Sequence, residues 1–494
     1  MTFGIVARAV IHFSTPLAPR INGAYYFVQV RSLLESGQLA VPDLPLIFWM
    51  QAAFAFVVQH ISGIAQEQAI IFACKFVDCL GPVLLGVPVY FLLGRWRTTN
   101  SGIMIAAAVL TLAVVHPPLL SMTSQYEKNA LGLVWFAAFG VCVRECLFVP
   151  SHGAVAAMLL FLALSGFTHV GVFGATLLFG ILVATGGLVF LPTQRKWLLK
   201  LALAGICVAG IVLLVTSNWF DPQRASRLLN PVFTETALTV NVPAPAPSSV
   251  RPATDKAMLL QAVMFLAFGP LVMVHTMVIA ALLIVWRQRR SLPHGECVFI
   301  AAAALTAFIL AWPFSLSERA TRLQMIAVAP LVLLAPFVLM HWRSRRAPRL
   351  AGAVMLAFTI ASLPFTLSWK IEPAIPENSY AELKALSSHI TNPSKTLIIA
   401  RHGLEWWVVW TLRTKISHAS AVRADDWQKY SLVAVLTQKR DRMQLPAHRG
   451  PSQRVFDELE IPPDAEILAD GTTFNFARLL HPPPGVSQPK MPAN

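Results

Sequence analysis

The sequence predicts an all-α polytopic membrane domain followed by a small α/β domain. Of its 494 residues, 56% are hydrophobic and only 13% are charged, and the mean hydropathy is +0.61. A chain of this composition has more apolar side chains than a soluble core can bury, so most of it belongs in a lipid bilayer. The last quarter of the chain, from residue 369, is instead rich in charged residues, prolines and turn residues. It is therefore predicted to form a separate polar domain.

Ten apolar runs are long enough to cross a bilayer as helices. A hydrocarbon core of about 30 Å requires about 20 apolar residues in helical geometry. The runs cover residues 69–94, 101–118, 129–147, 152–168, 170–191, 198–217, 257–286, 296–314, 323–341 and 350–368. A shorter run, 44–60, begins beside a proline and is followed by polar residues, and we expect it to lie at the membrane interface.

Basic residues alternate between the loops in the way that membrane topology requires. The loops that begin at residues 95, 144, 195, 287 and 343 are short and hold 13 Lys and Arg residues, whereas loops 119–128, 218–256 and 315–322 hold 7 over a greater length. The first group should therefore be cytoplasmic and the second external. This parity also places residues 14–68 outside and the N-terminus inside.

The N-terminal apolar segment is short for a crossing. Residues 1–13 would span only about 20 Å as a helix. Because the topology needs a crossing there, we expect the first helix to begin upstream of residue 1. The domain covering residues 1–368 would then have about 10 or 11 transmembrane helices.

The C-terminal domain, residues 369–480, is predicted to be extracytoplasmic. Residues 380–390 have helical spacing, residues 396–400 and 431–437 are typical of buried strands, and Asp470-Gly471 is typical of a hairpin turn. The proline-rich tail 481–494 is expected to be disordered, and the proline-rich outer loop 218–256 to be partly flexible.

Several functional classes are excluded by composition and motifs. The net charge of +15 comes from residues scattered at the ends of apolar runs, so it reflects topology and does not indicate nucleic-acid binding. The six cysteines lie in or beside apolar segments, without metal-ligand spacing and outside the polar domain. No phosphate-binding loop or catalytic-serine motif occurs in a suitable context, which excludes a soluble nucleotide-using enzyme.

The predicted first external loop, residues 14–68, carries the most informative motif. Its segment 20–37 reads Arg-Ile-Asn-Gly-Ala-Tyr-Tyr-Phe-Val-Gln-Val-Arg-Ser-Leu-Leu-Glu-Ser-Gly, and a proline-rich run leads from it into an apolar helix. This order of parts resembles the first external loop of the GT-C superfamily, membrane glycosyltransferases that take sugars from polyprenyl-phosphate carriers. The resemblance implies a GT-C-like fold. Asn22 stands where the family's pattern places the catalytic Asp.

Such an enzyme needs a carboxylate as base or metal ligand, and cations for the phosphate leaving group, at one membrane face. Asn22 cannot be the base, because an amide has no titratable group near neutral pH. Asp43 could supply the carboxylate, and its alternative role is a turn or N-cap residue. Glu127 resembles a second acidic position of the superfamily, and its alternative role is to stabilise a helix N-terminus.

Candidate binding residues occur in three external segments. Tyr25, Tyr26 and Arg31 could contact sugar or phosphate, and they could equally form an interfacial aromatic belt with a basic anchor. Lys128 is next to Glu127. His169 could contact substrate, although a lone His is more often a capping group.

Arg319 and Arg322 are the preferred phosphate ligands. They lie on a predicted outer loop, where basic residues are not needed for topology, and guanidinium groups bind phosphate through paired hydrogen bonds. The resemblance also implies a basic residue in such a late loop. The alternative is an ion pair between Glu318 and Arg322, four residues apart.

Two further groups are interpreted as structural. Lys75 and Asp78 share one face of an apolar helix and are expected to pair with each other near the outer interface. Trp406 and Trp407 could stack on carbohydrate, but packing against the domain core or the membrane surface is the favoured interpretation.

Three functional hypotheses follow. The first is a glycosyltransferase that moves a sugar from a polyprenyl-phosphate donor to a lipid, glycan or protein acceptor on the outer face, with a divalent cation (Mg²⁺ or Mn²⁺) as candidate cofactor. The second is a non-catalytic GT-C-like subunit that binds the lipid carrier or a partner enzyme. The third is a transporter of lipid-linked sugars, which the scarcity of charge within the apolar runs disfavours. In each case the expected partners are membrane lipids, and the expected location is a bacterial inner membrane.

Overall fold

The computed structural model describes most of the chain as two compact units. The described residues are 1–19, 22–94, 100–149, 151–221, 270–312, 318–341, 375–401, 403–417, 424–439 and 461–482, with single residues at 353, 357, 360, 363 and 422. Unit 1 comprises Met1–Ala9, Val41–Met50 and Phe76–Leu367. Unit 2 comprises Val10–Ala40, Gln51–Lys75 and Ser368–Asn494.

Unit 1 is helical throughout its described residues. Three of its helices continue into unit 2: α1 (Thr2–Phe13), α3 (Leu46–Ser62) and α4 (Gln66–Leu80). The others are α5 (Gly86–Leu93), α6 (Asn100–Val115), α7 (Pro117–Ser121), α8 (Glu127–Phe148), α9 (His152–Thr168), α10 (Val170–Phe190), α11 (Arg195–Val215), α12 (Pro270–Gln288), α13 (His294–Leu310), α14 (Glu318–Ile326) and α15 (Val328–Met340).

Helix boundaries follow local chemistry. The 3₁₀ turn Pro82–Leu85 separates α4 from α5, because Pro82 lacks the amide hydrogen that a continuous helix needs. The Ser151 hydroxyl accepts a hydrogen bond from the Ala154 amide and caps α9. At the far end of α9, Thr168 Oγ1 bonds back to the Leu164 carbonyl at 2.6 Å.

Five stretches are long and apolar enough to cross a membrane: Gln66–Leu93, Glu127–Phe148, Val170–Phe190, Pro192–Phe220 and Arg322–Met340. They coincide with five of the ten predicted runs. Apolar helices at Thr2–Phe13, Leu46–Ser62, His152–Thr168 and His294–Leu310 are shorter. Run 350–368, loop 218–256 and the tail from 483 lie almost entirely outside the described residues. The number of crossings therefore stays a prediction.

The core of unit 1 is a chain of aromatic rings between helices. Phe179 of α10 contacts Phe136 of α8 and Phe299 of α13, with ring centroids 5.7 and 5.6 Å apart. Phe299 continues to Phe337 of α15 at 5.6 Å. All four side chains are fully buried. Glycine allows a close approach nearby, since a Cβ on Gly140 would lie 2.6 Å from Leu333 Cδ1.

Unit 2 contains a five-stranded mixed sheet with the order β2-β1-β3-β5-β4. The strands are β1 (Thr396–Ala400), β2 (Lys415–Ser417), β3 (Leu432–Gln438), β4 (Glu466–Asp470) and β5 (Phe474–Arg478). β1 is parallel to β2 and β3, whereas β5 is antiparallel to β3 and β4. The predicted strands at 396–400 and 431–437 and the hairpin at Asp470-Gly471 are confirmed.

Helices α16 (Glu377–Ala385), α17 (Glu405–Leu412) and α18 (Asp426–Lys429) accompany the sheet, and α2 (Gly23–Ser36) joins them within unit 2. The predicted helix at 380–390 is present as α16 with a 3₁₀ turn at Leu386–His389. Trp407 and Trp410 of α17 are fully buried, and both rings contact Phe27 of α2. Helix α2, in the predicted first external loop, therefore supplies part of the core of unit 2.

Glu382 of α16 holds the β4–β5 hairpin. Its carboxylate accepts hydrogen bonds from the Thr472 hydroxyl (2.7 Å) and from the amides of Thr473 (3.0 Å) and Phe474 (2.8 Å). Partial burial acts to raise the pKa of Glu382, but these hydrogen bonds outweigh it and lower the pKa below its ordinary value of 4.5. The stabilisation is thus present at neutral pH, and it is lost as the pH falls below 4.5 and through the depressed pKa.

We expect Glu382→Gln to weaken the hairpin by about 1 kcal/mol at neutral pH, a low value because the side chain is half-exposed. Hydrogen exchange of the Thr473 and Phe474 amides, corrected for intrinsic rates, would measure the change. The difference from wild type should shrink as the pH is lowered below 4.5. Glu377→Gln, an exposed residue on the same helix, is the control. Equal effects of the two substitutions would contradict the capping role.

Candidate functional site

The segment that leads into α8, Leu119–Lys128, is the centre of a charged cluster in unit 1; we refer to it as the α8 entry segment. Thr123, Ser124 and Glu127 within it are buried. Ser124 has a φ of 61°, a left-handed conformation that is unusual for a residue other than glycine. Side chains from four distant parts of unit 1 meet this segment, in three groups of contacts.

The first of these contacts is an ion pair between Asp43 and Lys128. Lys128 Nζ contacts Asp43 Oδ2, and the two side chains are only 15% and 7% exposed. Asp43 Oδ1 accepts a hydrogen bond from the Leu44 amide at 2.7 Å. The Lys128 ammonium also lies 5.6 Å from the centre of the Phe48 ring. Two residues that the sequence identified separately are therefore brought together.

Glu127 occupies the first turn of α8 and is 2% exposed. Its position at a helix N-terminus agrees with the electrostatic preference for acidic residues there. Burial is unusual for a residue that serves only to stabilise a helix end, since a charge at a helix end is normally solvated. The structure therefore leaves a functional role for Glu127 open.

The second contact was not foreseen and involves Arg8 of α1. Arg8 is fully buried and lies 3.6 Å from Asp78 Oδ1, and it donates to the Leu119 carbonyl at 2.8 Å and the Thr123 hydroxyl at 3.1 Å. Asp78 Oδ2 accepts a hydrogen bond from the Ser124 amide at 2.9 Å. Glu127 is near enough for an electrostatic interaction with Arg8. An arginine within an apolar run was a signal that sequence reasoning could have used.

Asp78 was expected to pair with Lys75, and the structure assigns both residues additional partners. Lys75 belongs to unit 2, where its ammonium donates to the carbonyls of Thr15 at 2.6 Å and Pro16 at 3.1 Å. Asp78 has the Arg8 contact in unit 1. These contacts support a structural role for Lys75 and Asp78. Lys75 binds the backbone at Thr15 and Pro16, whereas Asp78 binds Arg8.

The third contact is made by Arg322 of α14. Its guanidinium lies 5.2 Å from the centre of the Tyr126 ring, and the side chain is exposed. Tyr126 directly precedes Glu127 and Lys128 in the α8 entry segment. One predicted phosphate ligand, Arg322, therefore contacts this segment. Arg319 is in the same helix, α14, but its side chain lies outside the described residues.

His169 is a helix-capping residue. Its Nδ1 accepts a hydrogen bond from the Val172 amide at 3.3 Å at the start of α10. This observation agrees with the structural alternative for His169. A substrate contact stays a prediction.

The remaining site candidates lie in unit 2. Asn22 immediately precedes α2, and in the part of the chain that the structure describes its side chain makes no capping hydrogen bond. The Tyr25 ring packs edge-on against Trp406 at 4.8 Å, and Tyr25 accepts a hydrogen bond from Gln29. Tyr26 is 2% exposed. These aromatic side chains are therefore engaged in packing within unit 2.

Arg31 has a structural role in unit 2. Its guanidinium donates to the carbonyls of Trp410 at 2.6 Å and Val409 at 2.8 Å near the end of α17, and it lies over the Trp410 ring at 4.8 Å. The side chain is buried. These contacts connect α2 with α17, and the phosphate and interfacial-anchor roles of Arg31 stay predictions.

The arrangement does not fit a divalent cation. Among the described residues, no group of three or more His, Cys, Asp or Glu side chains is placed to hold a metal ion. Both carboxylate oxygens of Asp43 already accept hydrogen bonds from Lys128 and Leu44. No chemical step is therefore assigned to Mg²⁺ or Mn²⁺ here.

The chain shares its fold with solved structures of ArnT and of an oligosaccharyltransferase. The chain superimposes on ArnT from Cupriavidus metallidurans in the apo state with a TM-score of 0.53 at 14% identity, covering 97% of each chain. The same protein bound to undecaprenyl phosphate gives a TM-score of 0.50 at 14% identity, again covering 97% of each chain.

An oligosaccharyltransferase from Archaeoglobus fulgidus, in a complex with zinc and sulfate, gives a TM-score of 0.52 at 12% identity, covering 88% of this chain and 67% of that one. No protein-family model and no curated protein matches the sequence. The neighbours are GT-C glycosyltransferases, so the predicted resemblance to that superfamily is confirmed at the level of fold.

Proposed function

We propose that this chain is an integral membrane glycosyltransferase that takes a sugar from a polyprenyl-phosphate donor. The observation that supports this most directly is the ion pair between Asp43 and Lys128 beside Glu127. It gathers carboxylates and a cation at one end of α8, and Arg322 of the exposed α14 contacts the same entry segment. The bound undecaprenyl phosphate of one structural neighbour makes such a carrier a reasonable donor lipid.

The residues divide into two roles. Arg322, with Arg319 and Lys128, would neutralise the phosphate as the bond to the sugar breaks. Glu127 is the preferred base for the acceptor hydroxyl, because both carboxylate oxygens of Asp43 already have partners in Lys128 and the Leu44 amide. Asp43 would then orient Lys128. The acceptor would be a lipid, glycan or protein on the extracytoplasmic face of a bacterial inner membrane.

A non-catalytic GT-C-like protein is the second candidate. One observation favours it: Asn22 stands where the family resemblance leads us to expect an acidic residue. Such a protein would retain binding of the lipid phosphate through its cations and would lack turnover. Binding and transfer must therefore be measured separately.

The test uses the purified full-length chain in lipid nanodiscs with radiolabelled undecaprenyl-phosphate-linked hexoses and crude membrane lipids as acceptors. We expect Glu127→Gln to reduce transfer by about 10² to 10⁴-fold, with donor binding preserved. Arg322→Ala should weaken the binding of undecaprenyl phosphate. Glu145→Gln, on the same helix as Glu127 but 53% exposed, is the matched control.

Three outcomes are distinguishable. Donor binding without transfer in the wild-type protein would establish the non-catalytic alternative. Transfer that survives both Asp43→Asn and Glu127→Gln would remove the assigned carboxylates. Failure of the wild-type protein to bind undecaprenyl phosphate would reject the proposed donor class.

A further inference from the structure

We propose that Arg8 and Asp78 are positioning residues that hold the α8 entry segment in the conformation that presents Glu127 and Lys128. This inference rests on the proposed function for its catalytic consequence. The contacts themselves are independent of that function. Both side chains are 0% exposed, so their interaction takes place away from solvent.

The two residues bind the entry segment at three points. Arg8 Nη2 donates to the Leu119 carbonyl and Arg8 Nη1 to the Thr123 hydroxyl. Asp78 accepts the Ser124 amide. Arg8 of α1 precedes Leu119 by 111 residues in the sequence. Asp78 of α4 precedes Ser124 by 46 residues. The segment is therefore fixed by long-range contacts in addition to its own turns.

Backbone strain indicates why such fixing is needed. Ser124 has a φ of 61°, which costs free energy for a residue with a side chain and persists only where the surroundings impose it. The Asp78 carboxylate accepts the amide of this same residue. Glu127 follows three residues later and starts α8. A relaxed Ser124 would therefore change the position of the proposed base.

Charge explains why the pair has two members. Removing a cation that contacts a buried carboxylate is strongly unfavourable, so the Asp78 carboxylate is expected to depend on Arg8. Replacing Arg8 alone would combine two effects, loss of stability and release of the segment. A neutral double substitution separates the loss of stability from the release of the segment. It also removes the charge of the Asp78 carboxylate, and it does not restore the contacts of Arg8 to Leu119 and Thr123.

The experiment compares Arg8→Met with the double variant Arg8→Met/Asp78→Asn in the full-length protein. We expect Arg8→Met to lower the thermal stability and the double variant to recover most of it. In both variants the amides of residues 119–128 should exchange at least about tenfold faster than in wild type. Transfer should lose roughly 100-fold in kcat with little change in KM, as expected for a displaced base.

A second buried pair in unit 1 provides the control. Arg144 and Glu296 form an ion pair in which the side chains are 14% and 6% exposed, and Arg144 lies near the opposite end of α8. Arg144→Met/Glu296→Gln should leave kcat and exchange at 119–128 unchanged. Arg8→Lys, which keeps the charge, should restore part of the protection.

The proposal is overturned if the double variant regains both wild-type kcat and slow exchange, because the pair would then contribute stability alone. Faster exchange at 119–128 in a protein that shows no transfer would support the positioning role while rejecting the enzymatic function. Unchanged exchange with a reduced kcat would reject the positioning role while retaining the enzyme.

Discussion

Replacing Lys128 by methionine is expected to lower the free energy of unfolding of unit 1 by about 3 kcal/mol, because it removes the cation that contacts the buried Asp43 carboxylate. The estimate is at the lower end for a broken buried pair, since the Lys128 side chain is 15% exposed. Methionine keeps the length of the side chain and its packing against Phe48. A denaturant titration of the protein in detergent, followed by circular dichroism, would measure the loss.

Two variants make this prediction specific. Lys128→Met/Asp43→Asn should recover most of the stability, since no unpaired charge remains. Lys429→Met breaks an exposed pair with Asp425, four residues away on a helix, and should cost less than about 0.5 kcal/mol. A Lys128→Met protein as stable as the Lys429→Met protein would show that Asp43 is solvated in the absence of Lys128.

Arg31→Met is expected to destabilise unit 2 by about 2 to 3 kcal/mol, because two charge-assisted hydrogen bonds to the end of α17 are lost. The Val409 and Trp410 carbonyls would also be left without this donor. Exchange of the α17 amides under native conditions is the appropriate measurement, since it reports on unit 2 alone. The binding of undecaprenyl phosphate should be unaffected.

Arg413 provides the matched arginine control in the same unit. It is about half exposed and pairs with Glu35 at 3.4 Å and Glu67 at 4.0 Å. Arg413→Met should therefore cost less than about 1 kcal/mol. If Arg31→Met abolished lipid-phosphate binding without faster exchange in α17, the phosphate-binding interpretation of Arg31 would be restored.

Local structure was largely predictable from sequence. The long apolar runs that become α8, α10 and α11 were identified because a helix that crosses a bilayer must be apolar over most of its length. Strands β1 and β3 and the hairpin at Asp470-Gly471 were identified from short apolar runs and turn residues. These features depend on neighbours in sequence, and neighbours are visible in a sequence.

Residue pairing was less predictable. Asp43 and Lys128 were both identified as candidates, but nothing in the sequence indicated that they form a pair across 85 positions. The burial of Arg31 against α17 was not predicted, because it depends on a residue 378 positions away. The division of the residues that were predicted to be external between two compact units was likewise not visible in the sequence.

By itself the sequence determined that this protein is a many-helix membrane protein with a polar C-terminal α/β region and a GT-C-like first loop. Only the tertiary structure decided which charges meet: Asp43 with Lys128, and Arg8 with Asp78 and the α8 entry segment. The physical reason is that the apolar pattern of each segment follows from its own surroundings, lipid or water, and is therefore visible in the local sequence. A buried ion pair instead exists only after distant segments have folded together, since each charge is stable there only with its partner present.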